Sequence, residues 1–110
     1  MPKPAVSTSS YRDALIESLK DPKEAAQYLD ACLRDGDPQV FLLALRDVAD
    51  AQGGIRSLSQ TTQLNRESLY RVLSKSGNPS LQTLSSVLGA LGLRLSVEST
   101  APGRRKRKVA

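Results

Sequence analysis

Between Gly54 and Ser74 the chain reads GIRSLSQTTQLNRESLYRVLS, and its apolar residues are placed as in two short helices that cross steeply. Ile55, Leu58, Leu64, Leu69 and Val72 fall where such helices meet, which predicts one helix over about Ile55 to Thr62 and a second over about Arg66 to Ser74. Gln63 and Leu64 make the turn. Asn65 is the expected cap of the second helix, because its side-chain oxygen can accept from the first free backbone N–H groups. Arg66, Glu67, Ser68, Tyr70 and Arg71 remain exposed on that helix, with Lys75 beyond it. Donors of this kind suit a helix laid into the major groove of DNA. An ordinary two-helix corner has the same local spacing, so the surrounding chain has to decide between the two.

Charge is the first surrounding feature. Residues 1–54 carry 6 basic and 9 acidic groups, residues 55–98 carry 5 and 2, and residues 99–110 add 5 basic groups and no acidic one. The net charge of +5 is therefore an acidic front half joined to a basic back half. That asymmetry predicts two different partners, with the basic half facing a polyanion. The composition excludes more than it suggests. With 110 residues the chain has room for one small domain and its tails. It has no histidine and a single cysteine, Cys32, so neither an internal disulfide nor a Cys/His zinc site can form. There is no metal constellation, no glycine-rich phosphate loop, no cofactor motif and no nucleophile motif, and the expectation is not an enzyme. No apolar run approaches the roughly 18 residues of a membrane span, and MPKPAVSTSS lacks a signal-peptide core; the expected location is cytoplasmic.

Around the central block the chain reads as short helices. Residues 1–9 are rich in Pro, Ser and Thr and are expected to be disordered. Ser10 and Asp13 resemble a capping box in front of a helix from Tyr11 to Lys20. Asp21-Pro22 and Asp37-Pro38 each place a cap before a proline at the first helical position, predicting helices to about Arg34 and Ala51. Cys32 sits in the apolar stripe of the first of these and is read as core. Phe41, the single phenylalanine, is expected near the centre of the core. Gly77-Asn78-Pro79 marks a turn and Ser80 a cap. Leu81, Leu84, Leu88 and Leu91 then follow at helical spacing, and Gly89 could allow another backbone to approach closely. The period changes at Leu93, Leu95 and Val97, which alternate with polar residues as in a strand. No second strand is apparent, so this one is expected to pair with its copy in a two-fold dimer, or else to fold as an edge over its own helices. The tail holds RRKRK, which could follow a phosphate backbone or could be only solubilising. The expected class is all-α: a small helical bundle with a helix-turn-helix, plus one short C-terminal β-strand. Its parts are a disordered start (1–9), front helices (10–52), the helix-turn-helix with its strand (53–98) and a flexible basic tail (99–110).

The ordered motifs Leu69-Tyr70, Gly77-Asn78-Pro79 and Gly92-Leu93-Arg94-Leu95 resemble the helix-turn-helix of the lambda-repressor/XRE type. They are similar, more closely, to the addiction-module antidote branch of it, the HigA-like antitoxins. Tyr11, Leu19-Lys20-Asp21, Ala26 to Leu29 and Asp35-Gly36-Asp37-Pro38 extend the likeness over about residues 10–98. Two positions depart from the family pattern: Ser59 stands for its usual small alanine and Gln63 for its turn glycine, so a left-handed Gln63 would be strained by its Cβ. The resemblance implies an antitoxin that binds a small basic toxin of the RelE/ParE-like (HigB-like) class. It also implies a homodimer that represses its own operon at an inverted repeat of double-stranded DNA, and hence association with the nucleoid.

Under that reading the DNA set is Arg66, Glu67, Ser68, Tyr70, Arg71 and Lys75, with Arg56 and Gln60 on the preceding helix as phosphate contacts. Glu67 fits either a cytosine contact or a cap of its own helix, Tyr70 either DNA contact or half-burial, and Lys75 either a contact or a solvated helix end. The toxin set is Tyr11, Leu15, Leu19, Tyr28 and Leu29, with Asp13, Glu17, Asp21 and Glu24 as acidic neighbours. The same apolar residues could instead complete the core. Leu93, Leu95 and Val97 are the dimerisation set. The competing reading is a stand-alone dimeric repressor of phage type with no toxin partner.

Overall fold

The computed structural model describes residues 8–101, and among them the chain forms six α-helices and no β-strand. These are α1 Thr8–Ser18, α2 Pro22–Arg34, α3 Pro38–Ala51, α4 Gly54–Thr62, α5 Arg66–Val72 and α6 Leu81–Ala90. The two Asp-Pro starts work as their chemistry requires. Asp21 Oδ1 accepts from Lys23 N and Asp37 Oδ1 from Gln39 N, both at 3.0 Å, and each proline stands at the head of its helix, where no intrahelical donor is lost.

α3 is the axis of the bundle. It packs against α1, α2 and α4, while α4 also packs against α5 and α6. Phe41, Leu42, Ala44, Leu45, Val48, Ala49 and Ala51 are buried along it, a stripe broad enough to serve several neighbours at once. Leu45 and Val48 are fully buried at its middle. Around them close Leu19 from the end of α1, Ala25 and Leu29 from α2, Ile55 and Leu58 from α4, Leu69 and Leu73 beside α5, and Val87, Leu88 and Leu91 at α6. No helix of the described residues is long and apolar enough to cross a membrane.

Several expectations need correction. The first helix begins at Thr8, so Thr8 and Ser9 are helical and Ser10 lies inside α1 and not at its cap. A serine three residues before an aspartate has the same spacing within a helix as at its start, so the capping-box pattern of Ser10 and Asp13 does not mark the start of α1; residues 1–7 lie outside the described residues. α5 stops at Val72, and Leu73, absent from the expected core, is one of its most deeply buried residues. In α6 the buried stripe is Leu84, Val87, Leu88 and Leu91, whereas Leu81 is exposed in the first turn. Gly89 faces open space and receives no backbone. Phe41 is buried at the edge of the core, under a groove also lined by Leu29, Leu33, Leu88 and Leu93.

The expected strand is not formed. Leu93 is half-buried against the core, Leu95 lines that same groove, and Val97 is 99% exposed. A strand needs a second row of N–H and C=O groups, and the described residues offer none. Arg34, bridging Asp30 and Glu98 at 2.9 Å each, ties this segment to α2 instead.

Candidate functional site

The α4–α5 corner is set by local hydrogen bonds. Gln63 ends α4 with φ 67° and ψ 16°, and its N–H donates to Ser59 O at 2.8 Å. Thr62 Oγ1 donates to Leu58 O at 2.8 Å and accepts from Leu64 N at 3.2 Å. Ser59 donates its hydroxyl to Leu64 O. These bonds give the turn's backbone groups partners without regular structure, as semi-buried polar groups require. Leu64 drops against the core, and Asn65 Oδ1 accepts from Ser68 N at 2.9 Å, which starts α5. The capping side chain is thus Asn65. Glu67 contributes only its charge, in the first turn, where the helix end is positive.

Leu69, fully buried, pins α5 to the core and so fixes which face looks outward. That face presents Arg66, Glu67, Tyr70 and Arg71, all exposed, with Ser68 half-buried beneath Arg71; Arg71 Nη2 donates to Ser68 Oγ at 3.4 Å. Arg56 and Gln60 are exposed on α4, and Lys75 is exposed just past α5. A shallow cleft lined by Ser59, Gln60, Gln63, Leu64 and Asn65 lies at the mouth of the turn. Fold and sequence therefore bring the expected cationic set onto one pair of adjoining helices, with Glu67 the one carboxylate in the set. Tyr70 is 48% exposed, and the Arg46 guanidinium of α3 lies 4.7 Å from its ring centroid. At that distance the positive charge is attracted to the ring face.

The front helices are arranged differently from the expectation. Leu19 and Leu29 are 1% and 5% exposed and belong to the core, so neither side chain faces outward. Leu15 and Tyr28 are half-buried, and Tyr11 alone of the five stands out, at 67% exposure. The reason is α3, whose stripe is wide enough to take both α1 and α2. Tyr28 also donates its hydroxyl to Asp47 Oδ2 at 2.9 Å. Burial, and then that hydrogen bond, push its pKa well up from the ordinary tyrosine value. Asp47 accepts from Arg12 Nη1 at 2.7 Å as well, Arg12 Nη2 reaches Asp50 at 2.9 Å, and Asp50 is met by Arg46 Nε at 3.3 Å. The hydrogen bond with Asp47 leads the upward shift of the Arg12 pKa. Cys32 is half-buried and burial raises its thiol pKa, which disfavours the reactive thiolate.

This network of Arg12, Tyr28, Arg46, Asp47 and Asp50 is absent from the sequence reading. The Arg46/Asp50 spacing of four, that of a helical ion pair, is the one local signal that could have found part of it. The other links span 19 to 38 residues and exist only once α1 and α2 close on α3.

Comparison with known proteins adds a family. The family described as "Probable addiction module antidote protein" matches residues 10–99. An uncharacterized protein of Haemophilus influenzae (strain ATCC 51907 / DSM 11121 / KW20 / Rd) is 32% identical over 86 residues, covering 78% of this chain and 88% of that protein. No solved structure matches significantly.

Proposed function

The chain belongs to the family of probable addiction module antidote proteins, and on that premise we propose that it is an antitoxin with two binding tasks. In the first it holds a small basic toxin of RelE/ParE-like type. In the second its dimer represses its own operon by setting α5 into the major groove. Both are binding functions, performed in the cytoplasm and without a catalytic step.

The observation that carries the DNA reading is the α4–α5 corner. A capped helix is pinned by Leu69 and turns Arg66, Tyr70 and Arg71 outward beside Arg56 and Gln60. Arginine is the common guanine reader, and hydroxyls and cations on the flank take phosphates. Leu95 and Val97, left exposed on a segment with strand-like alternation, supply a surface for pairing with a second copy. For the toxin, α1 and α2 expose Tyr11 and the carboxylates Asp13, Glu17 and Glu24, whose charge suits a basic protein. The RRKRK tail lies outside both the described residues and the family match.

The test is purification of the tagged chain at native expression, with mass spectrometry of what accompanies it and gel-shift assays on its own promoter. A basic protein of about 100 residues encoded next door, together with a shifted promoter fragment, is the expected result. Promoter binding with no protein partner would leave the stand-alone repressor. The burial of Leu19 and Leu29 favours that second reading, because it shrinks the apolar surface the front helices can offer.

A further inference from the structure

Arg46 lies on α3, outside the helix pair assigned to DNA, and its guanidinium is placed in an unusual way. Nε donates to Asp50 Oδ1 at 3.3 Å, the central guanidinium carbon lies over the Tyr70 ring 4.7 Å from its centroid, and the two Nη groups have no hydrogen-bond partner among the described residues. Its side chain is one-third exposed. Tyr70, for its part, has an exposed ring whose hydroxyl also makes no hydrogen bond among the described residues. Asp50 is held from its other side by Arg12, so the carboxylate that orients Arg46 is itself fixed. Two donor groups without a hydrogen-bond partner among the described residues, Arg46 Nη and Tyr70 Oη, thus belong to side chains in contact where α3 meets α5, the helix that also exposes Arg66 and Arg71.

We propose that Arg46 extends the DNA-binding surface onto α3: stacked on Tyr70, it positions that ring and joins its hydroxyl in holding one backbone phosphate of the duplex. The inference rests on the DNA-binding reading given above. A guanidinium tied at Nε and stacked on an aromatic face loses little further freedom when its Nη groups meet a phosphate, and its planar fork suits that oxygen geometry. A phosphate contact carries no sequence information, so Arg46 would add affinity and register, not base choice.

The experiment measures binding of the full chain to a duplex of its own promoter and to an unrelated duplex of equal length, over a range of salt. The variants are Arg46→Gln, Arg46→Lys, Tyr70→Phe and the double variant Arg46→Gln/Tyr70→Phe. The expected result for Arg46→Gln is a loss of about three- to tenfold on both duplexes, with the salt slope reduced by about one. Arg46→Lys should restore the slope but only part of the affinity. The double variant should lose less than the product of the single losses, because the two groups share one phosphate. Affinity and melting temperature falling together at an unchanged slope would show a structural role and overturn the proposal, as would variants that bind like the parent. If the parent chain binds neither duplex, the DNA reading fails and takes this inference with it. A parent that binds beside unaffected Arg46 variants removes the inference alone.

Discussion

Gln63 carries the one positive φ among the described non-glycine residues, at a position where the chain must reverse between α4 and α5. A Cβ in the left-handed region is held at about 1–2 kcal/mol above its ordinary conformations. Glycine would remove that strain but gain unfolded-state freedom. Gln63→Gly should therefore stabilise the chain by up to about 1 kcal/mol, read as a higher urea midpoint with unchanged slope. Tyr28 makes a prediction of another kind. Its raised pKa means that the folded chain holds the phenolic proton more tightly than the unfolded chain does. The stability it contributes is complete below the unfolded value of about 10 and is lost as pH rises through the folded one. Unfolding free energy measured by urea titration should thus fall above about pH 10. In Tyr28→Phe the fall should be shallower, and stability at neutral pH lower by about 1–2 kcal/mol for the missing hydrogen bond to Asp47.

α5 is only seven residues long, too short to persist without tertiary anchors. Asn65 holds its start and Leu69 its middle. Its end depends on Gly77, which folds back so closely that a Cβ there would stand 2.1 Å from Val72 O. That contact is with backbone and has no flexible end to yield. Gly77→Ala should lower stability by about 1–3 kcal/mol, as overpacking does, and shift the amide NMR signals of Arg66 to Leu73 more than those of α2. Gly89→Ala, where the added methyl meets open space, is the matched control and should be neutral or stabilising.

The whole molecule is a single core centred on α3, with two surfaces on different sets of helices. The exposed cations Arg56, Arg66 and Arg71 lie on α4 and α5, whereas α1 and α2 expose carboxylates and cations together, among them the Glu17–Lys20 and Asp30–Arg34 pairs at the ends of the two helices. Residues of the same type consequently separate by depth. Leu19→Ala should destabilise by about 2–5 kcal/mol in thermal or urea unfolding, because it opens the core. Tyr11→Ala, on an exposed site, should stay within about 0.5 kcal/mol of the parent. Tyr11→Ala is also the variant to use in titrations with the toxin, where a loss of affinity without loss of fold would locate the contact on α1.

Local chemistry determined the helices. The Asp-Pro starts, Asn65 and Ser80 act within a few residues of themselves, and each caps its helix where the sequence puts it; the turn expected at Gly77-Asn78-Pro79 falls earlier, over Ser74 to Gly77, where Gly77 N–H donates to Ser74 O at 2.9 Å. The outward set on α5 was legible for the same reason, since burying Leu69 dictates the opposite face. Depth was decided by tertiary packing. Spacing marks Leu15, Leu19, Tyr28 and Leu29 as one apolar surface, but only the width of the α3 stripe determines how much of it is covered. Apart from the Arg46–Asp50 pair four residues apart on α3, the network from Arg12 and Tyr28 through Asp47 and Asp50 to Arg46 and Tyr70 joins groups far apart in the chain, which no local rule can pair. The strand-like alternation of Leu93, Leu95 and Val97 is a property of the sequence, but a ladder requires a second backbone, and the described fold of one chain provides none.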